Sequence, residues 1–290
     1  MSTAPHSELW ATEKHDFLEL RYRATEVLFS EQSPFQHVEI VNTEKYGKIL
    51  LNDGYVMITE ADEFIYHDML VHVPLFTHPH PQRVLIIGGG DGGTAREVLR
   101  HPSVEQCVMV EIDEVVVNAC RHHIPQTAQA LDHPKLTLRI EDGVKYVAET
   151  AETFDVVLVD STDPIGPATP LFGETFYCDL ARILNPGGLV VSQGESPFYF
   201  AAMQHKLLDI LHRCFPTVSL YNYSNMSYPG GLWSFTFASQ GLDPIADFDP
   251  ARVAASGLEF RYYNSAIHRA AFALPTFMQR QIKTILDSPC

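Results

Sequence analysis

Two hydrophobic periods alternate along the chain, and their order predicts the architecture. Between about Leu20 and Thr59 the period is short and punctuated by turns. Gln36 to Val41 alternates with β-branched residues, Tyr46-Gly47 turns, Ile49 to Leu51 runs apolar, and Asp53-Gly54 marks a hairpin into Tyr55–Thr59. This predicts a small antiparallel β unit. From Glu60 to Thr77 the period becomes helical, with Ile65, Met69, Val73 and Phe76 on one face and Pro79 and Pro81 closing the segment.

From Arg83 onward short apolar runs alternate with helix-length segments. The runs are Val84–Ile87, Cys107–Ile112, Leu136–Ile140, Phe154–Val159 and Leu189–Ser192. Unbroken runs such as Val156-Val157-Leu158-Val159 suit strands covered on both faces, which predicts a parallel α/β sheet. Asn185-Pro186-Gly187-Gly188 should stop a helix before the fifth strand. Val218–Tyr223 and Leu232–Ala238 are joined too closely for a parallel crossover and should pair antiparallel. Helices are expected around Asn264–Ala273 and Phe277–Leu286. The division this gives is a β-hairpin domain over 1–60 and a Rossmann-like catalytic domain over 61–290.

Composition narrows the function. The 290 residues are 46% hydrophobic and 19% charged, an ordinary folded protein. A net charge of −16 argues against a nucleic-acid partner and suits a cationic small substrate. No apolar run approaches the length of a membrane span, and the polar first 15 residues lack a signal core, so a cytoplasmic protein is expected. Cys107, Cys120, Cys178, Cys214 and Cys290 contain no CxxC pair, and the odd count predicts reduced thiols. The 14 histidines, including His67/His72 and His78/His80, show no Cys or acidic partners at ligand spacing, so no metal is expected.

The candidate chemistry lies at the strand ends. Gly88, Gly90 and Gly93 satisfy GxGxxG within Gly88-Gly89-Gly90-Asp91-Gly92-Gly93, a pattern usually taken for a dinucleotide site. Asp91 would set a carboxylate against a pyrophosphate there; it suits instead a cofactor with a positive tail, or it merely caps the next helix. Asp91, Glu111, Asp142 and Asp160 follow the first four predicted strands, so all four face one crevice. Glu111, about twenty residues after the loop, is placed for both ribose hydroxyls, and Asp142-Gly143 for an adenine amine. Together they describe a nucleoside without phosphates. Asp160-Ser161-Thr162-Asp163-Pro164-Ile165-Gly166-Pro167 then puts two carboxylates in a proline-stiffened loop over the crevice, able to anchor ammonium groups and accept a proton.

With Glu63-Phe64-Ile65-Tyr66-His67 and Tyr228-Pro229-Gly230-Gly231-Leu232-Trp233, these motifs resemble the spermidine synthase family of aminopropyltransferases, from Leu9-Trp10 to Leu274-Pro275. The resemblance implies a class I methyltransferase-like, doubly wound α/β domain behind a small antiparallel β domain, decarboxylated S-adenosylmethionine as co-substrate with no bound prosthetic group, and assembly as a homodimer or homotetramer. It makes Asp160 the proton acceptor. Asp163, Tyr66 and Tyr228 hold the diamine, Asp91 and His67 line the aminopropyl and amine site, and Trp233 walls the acceptor channel. Gln36, Gly88, Gly90, Glu111, Asp142, Gly143 and Pro167 form the nucleoside pocket. The acceptor belongs to the set putrescine, cadaverine, agmatine and spermidine, and putrescine, giving spermidine and methylthioadenosine, is the expected one. Asp68, Asn52 and Gly230 depart from common family residues, and Gly230 bears on the width of the acceptor channel. Three rivals remain: an N-methyltransferase using intact S-adenosylmethionine, with Arg96 or Lys145 offsetting its carboxylate; an NAD-dependent oxidoreductase, disfavoured by Asp91; and a non-catalytic sensor, disfavoured by Asp160. Tyr199 and Phe200, after Gln193-Gly194-Glu195-Ser196, either gate the pocket or fill it.

Overall fold

A computed structural model describes residues 9–162 and 166–286, the side chains of 166–168 and 286 excepted. The first sheet is an antiparallel meander of β1 (Leu9–Lys14), β2 (Glu19–Gln32), β3 (His37–Thr43), β4 (Lys48–Asn52) and β5 (Tyr55–Thr59). Asp53 and Gly54, at φ 50° and 82°, make the tight turn between the last two strands. The meander is longer than the residue pattern suggests, because β1 and β2 alternate polar and apolar with their outward side chains solvated.

Helix α1 (Glu63–Thr77) leads into the second sheet. Only one of its faces reads as apolar, yet every residue except Phe64 is buried. The reason is its position: Val38, Ile40, Leu50 and Ile58 of the first sheet and Val84, Ile86, Val156 and Leu158 of the second share one core with it. A helix packed on both sides has no solvent face.

The second sheet follows as β6 (Arg83–Gly88), α2 (Gly93–Leu99), β7 (Gln106–Glu111), α3 (Glu114–His123), α4 (Pro125–Ala128), β8 (Leu136–Ile140), α5 (Gly143–Glu149), β9 (Phe154–Asp160), α6 (Glu174–Arg182), β10 (Leu184–Gln193), α7 (Ala201–Cys214), β11 (Thr217–Ser224) and β12 (Leu232–Ser239). Its order is β11-β12-β10-β9-β6-β7-β8, parallel from β10 to β8 and antiparallel at β11 and β12. Strand order reverses between β6 and β9, where Gly88 pairs with Asp160. That reversal opens the crevice at the carboxyl edge. Three helices end the chain, α8 (Pro250–Ala255), α9 (Ser265–Ala271) and α10 (Thr276–Leu286).

Two expectations are corrected. Asn185–Gly188 does not separate a helix from a strand; β10 already contains it, as an irregularity where the register on β9 shifts between Leu184 and Leu189. Gly187, at φ 77°, takes the extra residues out of the ladder. The cysteines are not all reduced thiols. Cys178 and Cys214, 36 residues apart, are bonded across α6 and α7, whereas Cys107 and Cys120 are free and buried. Cys290 lies outside the described residues.

The junction of the two sheets is tied by Asp62, which is fully buried and makes no side-chain cap on α1. Its Oδ1 accepts from Thr59 Oγ1 (2.6 Å) and Ser227 Oγ (3.1 Å), and its Oδ2 from the backbone N–H groups of Met226 (3.0 Å) and Ser227 (2.8 Å). Asp62→Ala removes four hydrogen bonds at once and leaves the buried Ser227 N–H with Asn225 Oδ1 alone (3.0 Å), while the exposed Met226 N–H turns to water, so it should cost about 1–3 kcal/mol. Asp62→Asn, able to turn its oxygen to those donors, should cost less than half as much. Thermal melting checks both, and an alanine variant that melts with the wild type would overturn this role.

Candidate active site

The crevice is built on glycines that let backbone and carboxylates approach. A Cβ on Gly88 would lie 2.1 Å from the Asp160 carbonyl oxygen, to which Gly89 N–H donates at 2.9 Å. Gly88 itself has φ 85°, open only to glycine without strain. Gly90 N–H donates to Glu111 Oε2 (3.0 Å) and Asp113 N–H to Glu111 Oε1 (2.9 Å). Burial raises the Glu111 carboxyl to about 7, aided by the charge of Asp113 and opposed by these N–H groups. Each of its oxygens keeps a lone pair for a hydroxyl.

Beside it, Gln36 lines the cavity with its amide donating to Asp113 Oδ2 at 3.0 Å. Asp142 caps α5 through Oδ1, which accepts from Val144 N–H (2.8 Å) and Lys145 N–H (3.3 Å), and lines the cavity together with Gly143. Gln36, Gly88, Gly90, Glu111, Asp142 and Gly143 all line this cavity. Asp163 lies outside the described residues, and so does the side chain of Pro167.

Asp160, Asp91 and His67 line the same cavity. Asp160 accepts from Tyr66 Oη on Oδ1 (2.8 Å) and from Thr94 Oγ1 on Oδ2 (2.6 Å). Burial and the neighbouring Asp91 carboxylate raise its pKa, and His67, Thr94 and Tyr66 oppose the rise. Asp91 accepts from Gly93 N–H at 2.8 Å, so it does serve the helix entry, but it also lines the cavity and faces His67 Nε2 at 3.4 Å. His67 is fully buried and meets Glu63 Oε2 through Nδ1 at 2.6 Å. Burial works against its charge, yet Asp91 and Glu63 hold its pKa up at about 10.

The channel wall is aromatic. Tyr66 stands edge-on to Tyr228 (6.3 Å between centroids), and Tyr228 to Trp233 (5.2 Å). Tyr228 Oη donates to Met57 O, and Trp233 Nε1 to Pro229 O at 2.9 Å. Gly230 has φ 73°, and a Cβ there would meet Tyr199 Cε2 at 2.6 Å. Its missing side chain therefore seats Tyr199, which stacks on Phe17 (5.0 Å), while Phe200 lies against Trp233 (6.0 Å).

Several residues of the site carry no mark in a reading of strand ends. Glu63 supports His67 from one turn earlier on α1, and Thr94 supports Asp160 from α2. Glu13 of β1 and His15 just after it, hydrogen-bonded at 3.1 Å, reach the cavity. The i, i+4 spacing of Glu63 and His67 was the available signal. The histidines do have acidic neighbours in space: donor atoms of His67, Asp91 and Asp160 lie within 4.8 Å of one another, as do those of Asp68, His72 and Glu97. Asp68 itself is buried away from the crevice, its Oδ2 accepting the N–H groups of Arg261, Tyr262 and Tyr263.

Residues 63–249 match the family model described as the spermine/spermidine synthase domain, and residues 9–60 match the spermidine synthase tetramerisation domain. The chain belongs to the spermidine synthase family. A polyamine aminopropyltransferase of Thermoanaerobacter sp. (strain X514) is 46% identical over 97% of this chain and 99% of that one. A polyamine aminopropyltransferase of Bacillus subtilis (strain 168) is 41% identical over 96% and 100%. Among solved structures, a spermidine synthase in complex with the transition-state analogue AdoDATO superposes with a TM-score of 0.94, at 40% identity and 98% coverage of both chains. Spermidine synthase from Thermotoga maritima gives 0.91 at 39% identity, covering 98% of this chain and 97% of that one. The chain is an enzyme of the polyamine aminopropyltransferase type, with the α/β fold expected of it. No described helix is long and apolar enough to cross a membrane.

Within this family fold, Gly93 has a specific task. A Cβ on it would fall 2.1 Å from His67 Cε1 and 2.4 Å from each ring nitrogen. Gly93 opens α2 without the positive φ that would exclude a side chain, so Gly93→Ala should keep the helix while overpacking the buried imidazole and pushing it aside, at a cost of about 1–3 kcal/mol. A displacement near 1 Å at a reacting site costs on the order of 100-fold in kcat/KM. Steady-state aminopropyl transfer with a parallel thermal melt checks this; unchanged kcat/KM would show that the ring position is immaterial.

Proposed function

We propose that the chain transfers the aminopropyl group of decarboxylated S-adenosylmethionine to putrescine, yielding spermidine and methylthioadenosine. The observation that carries this reading is the charge of the crevice. Glu13, Asp53, Asp91, Glu111, Asp142 and Asp160 line it, and among the described residues no Lys or Arg does. Arg96, a candidate partner for the carboxylate of an intact methyl donor, is held instead by Glu63 (2.9 and 3.0 Å), Glu97 (2.8 Å) and Gln126 O (2.9 Å). A donor with an ammonium tail suits this lining, and one with a carboxylate does not.

In this reading Glu111 takes the ribose hydroxyls and Asp142-Gly143 the adenine edge, with Gln36, Gly88, Gly90 and Pro167 completing the nucleoside wall. Asp91 and His67 receive the aminopropyl ammonium. Tyr66, Tyr228, Trp233 and Asp163 hold the diamine. The amine attacks the sulfonium carbon in one displacement, methylthioadenosine leaves, and Asp160 takes the proton that the amine sheds. A free amine is scarce at neutral pH, since its pKa resembles that of lysine at about 10.4. A carboxylate whose pKa is raised, by burial first and by Asp91 second, is the better base for it. Tyr66 and Thr94 fix its two oxygens, so one lone pair of each stays free to face the amine. The sulfonium is already an activated leaving group, so the chemistry asks for no prosthetic group.

Residues 1–60 are proposed as the separate β domain and 61–290 as the catalytic one. The match of 9–60 to a tetramerisation domain supports self-assembly, as a tetramer rather than a dimer, which sedimentation distinguishes. The cytoplasm is the proposed location.

Donor choice is the deciding experiment. Two like charges about 4 Å apart at an effective dielectric near 20 repel by about 4 kcal/mol. Wild-type protein should therefore bind decarboxylated S-adenosylmethionine at least 100-fold more tightly than the intact form, and Asp91→Asn should narrow the gap from both sides. Equal wild-type affinities in competitive calorimetry would replace this reading with the methyltransferase one.

Asp160→Asn should keep affinity for methylthioadenosine and lower kcat by roughly 100-fold or more. The wild-type rate should climb through the neutral range as the amine loses its proton, then level on the alkaline side. In the variant the climb should continue to higher pH, because the amine must then shed its proton to water. A variant with near-normal turnover and an unaltered profile would remove Asp160 from the role.

A further inference from the structure

Four side chains stand in sequence from α2 to the crevice: Arg96, Glu63, His67 and Asp91. Both terminal nitrogens of Arg96 hold Glu63, Glu63 Oε2 meets His67 Nδ1, and His67 Nε2 faces Asp91 Oδ1 at 3.4 Å. That distance exceeds a normal hydrogen bond, and Nε2 makes none within the protein, although the ring is fully buried. Only the absent Cβ of Gly93 gives the imidazole room to stand there. The nitrogen aimed at the aminopropyl site is thus held in place from behind, with only the long ionic contact to Asp91 in front.

We propose that Glu63 and Arg96 are positioning residues that keep His67 as a protonated stand-in for the donor's ammonium, and that donor binding expels the His67 Nε2 proton. The proposal rests on the donor reading above. In the free enzyme both ring nitrogens carry protons. When the donor enters, the Nε2–H bond breaks and its proton goes to solvent. The freed Nε2 lone pair accepts from the donor's ammonium, and Nδ1–H stays on Glu63. One proton leaves for each ammonium that arrives, so the net charge of the subsite is preserved.

The groups facing His67 favour this exchange. Glu63 from α1, Asp91 from the glycine loop and Asp160 from the end of β9 all draw a single positive charge into the subsite. Tyr66, with its ring 5.4 Å away, is kept neutral by burial and by Asp160. Arg96 is already matched by Glu63 and Glu97. Two cations side by side against Asp91 would repel, and the imidazolium is the one that can discharge without leaving. Methylthioadenosine, which has no amine, provides the control.

Proton release is measured by calorimetry of the wild-type enzyme in two buffers of different ionisation enthalpy near pH 7.5. Decarboxylated S-adenosylmethionine should release about one proton and methylthioadenosine none, with donor affinity rising up to about tenfold per pH unit and product affinity flat. His67→Gln should abolish the release. Glu63→Gln should reduce it and weaken the donor at least tenfold while shifting methylthioadenosine less than twofold. Tight donor binding without proton release, or equal release with methylthioadenosine, would overturn this inference and leave the donor reading standing. Failure of the donor to outcompete intact S-adenosylmethionine would instead overturn the reading on which it rests.

Discussion

Negative charge gathered where water is scarce is the constraint on which this structure turns. Burial raises the cost of ionising Asp160, and the neighbouring Asp91 carboxylate adds to it. Nothing cationic from Lys or Arg relieves them in the described lining. His67 beside Asp91 offsets part of this charge in the empty protein, and cationic substrates relieve the remainder. Affinity for the substrates and the strain of the empty site are therefore two sides of one electrostatic arrangement.

The fold supplies the means of holding that charge in place. Parallel strands β6 and β9 bring Gly88 opposite Asp160 at the point where strand order reverses. Glycine at 88, 89 and 90 lets the loop lie directly on Asp160 and Glu111. Thr94 at the start of α2 and Tyr66 on α1 then fix both Asp160 oxygens. The glycine pattern that elsewhere admits a pyrophosphate here admits carboxylates and an imidazole instead.

The first sheet completes the pocket as well as extending the molecule. Phe35, Gln36, Asn52, Tyr55 and Met57 line the cavity from it, and Tyr228 closes against Met57. Asp62 fixes this junction by joining Thr59 to the loop at Ser227, which ties the loop before β12 to the start of α1. Tyr22 Oη, bonded to Ser227 O at 2.7 Å, adds a second tie from β2.

The sequence by itself determined the strand order class, the crevice and its acid lining, because hydrophobic period and the residue after each strand are local properties. Asp91, Glu111, Asp142 and Asp160 were legible for that reason, and so was the antiparallel pair at the sheet edge. Tertiary structure alone decided the rest. That α1 is buried all round followed from two sheets closing on it, which no single-helix period contains. That Asn185–Gly188 sits inside a strand depended on β9 offering a ladder beside it. The Cys178–Cys214 bond needed α6 and α7 side by side, across 36 residues of chain. The partners of His67 and Asp160 come from α1, α2 and the glycine loop, and Arg96 was withdrawn from the pocket by Glu63. These are distances between elements, set by packing, and a one-dimensional pattern fixes which residues face a crevice but not which of them touch.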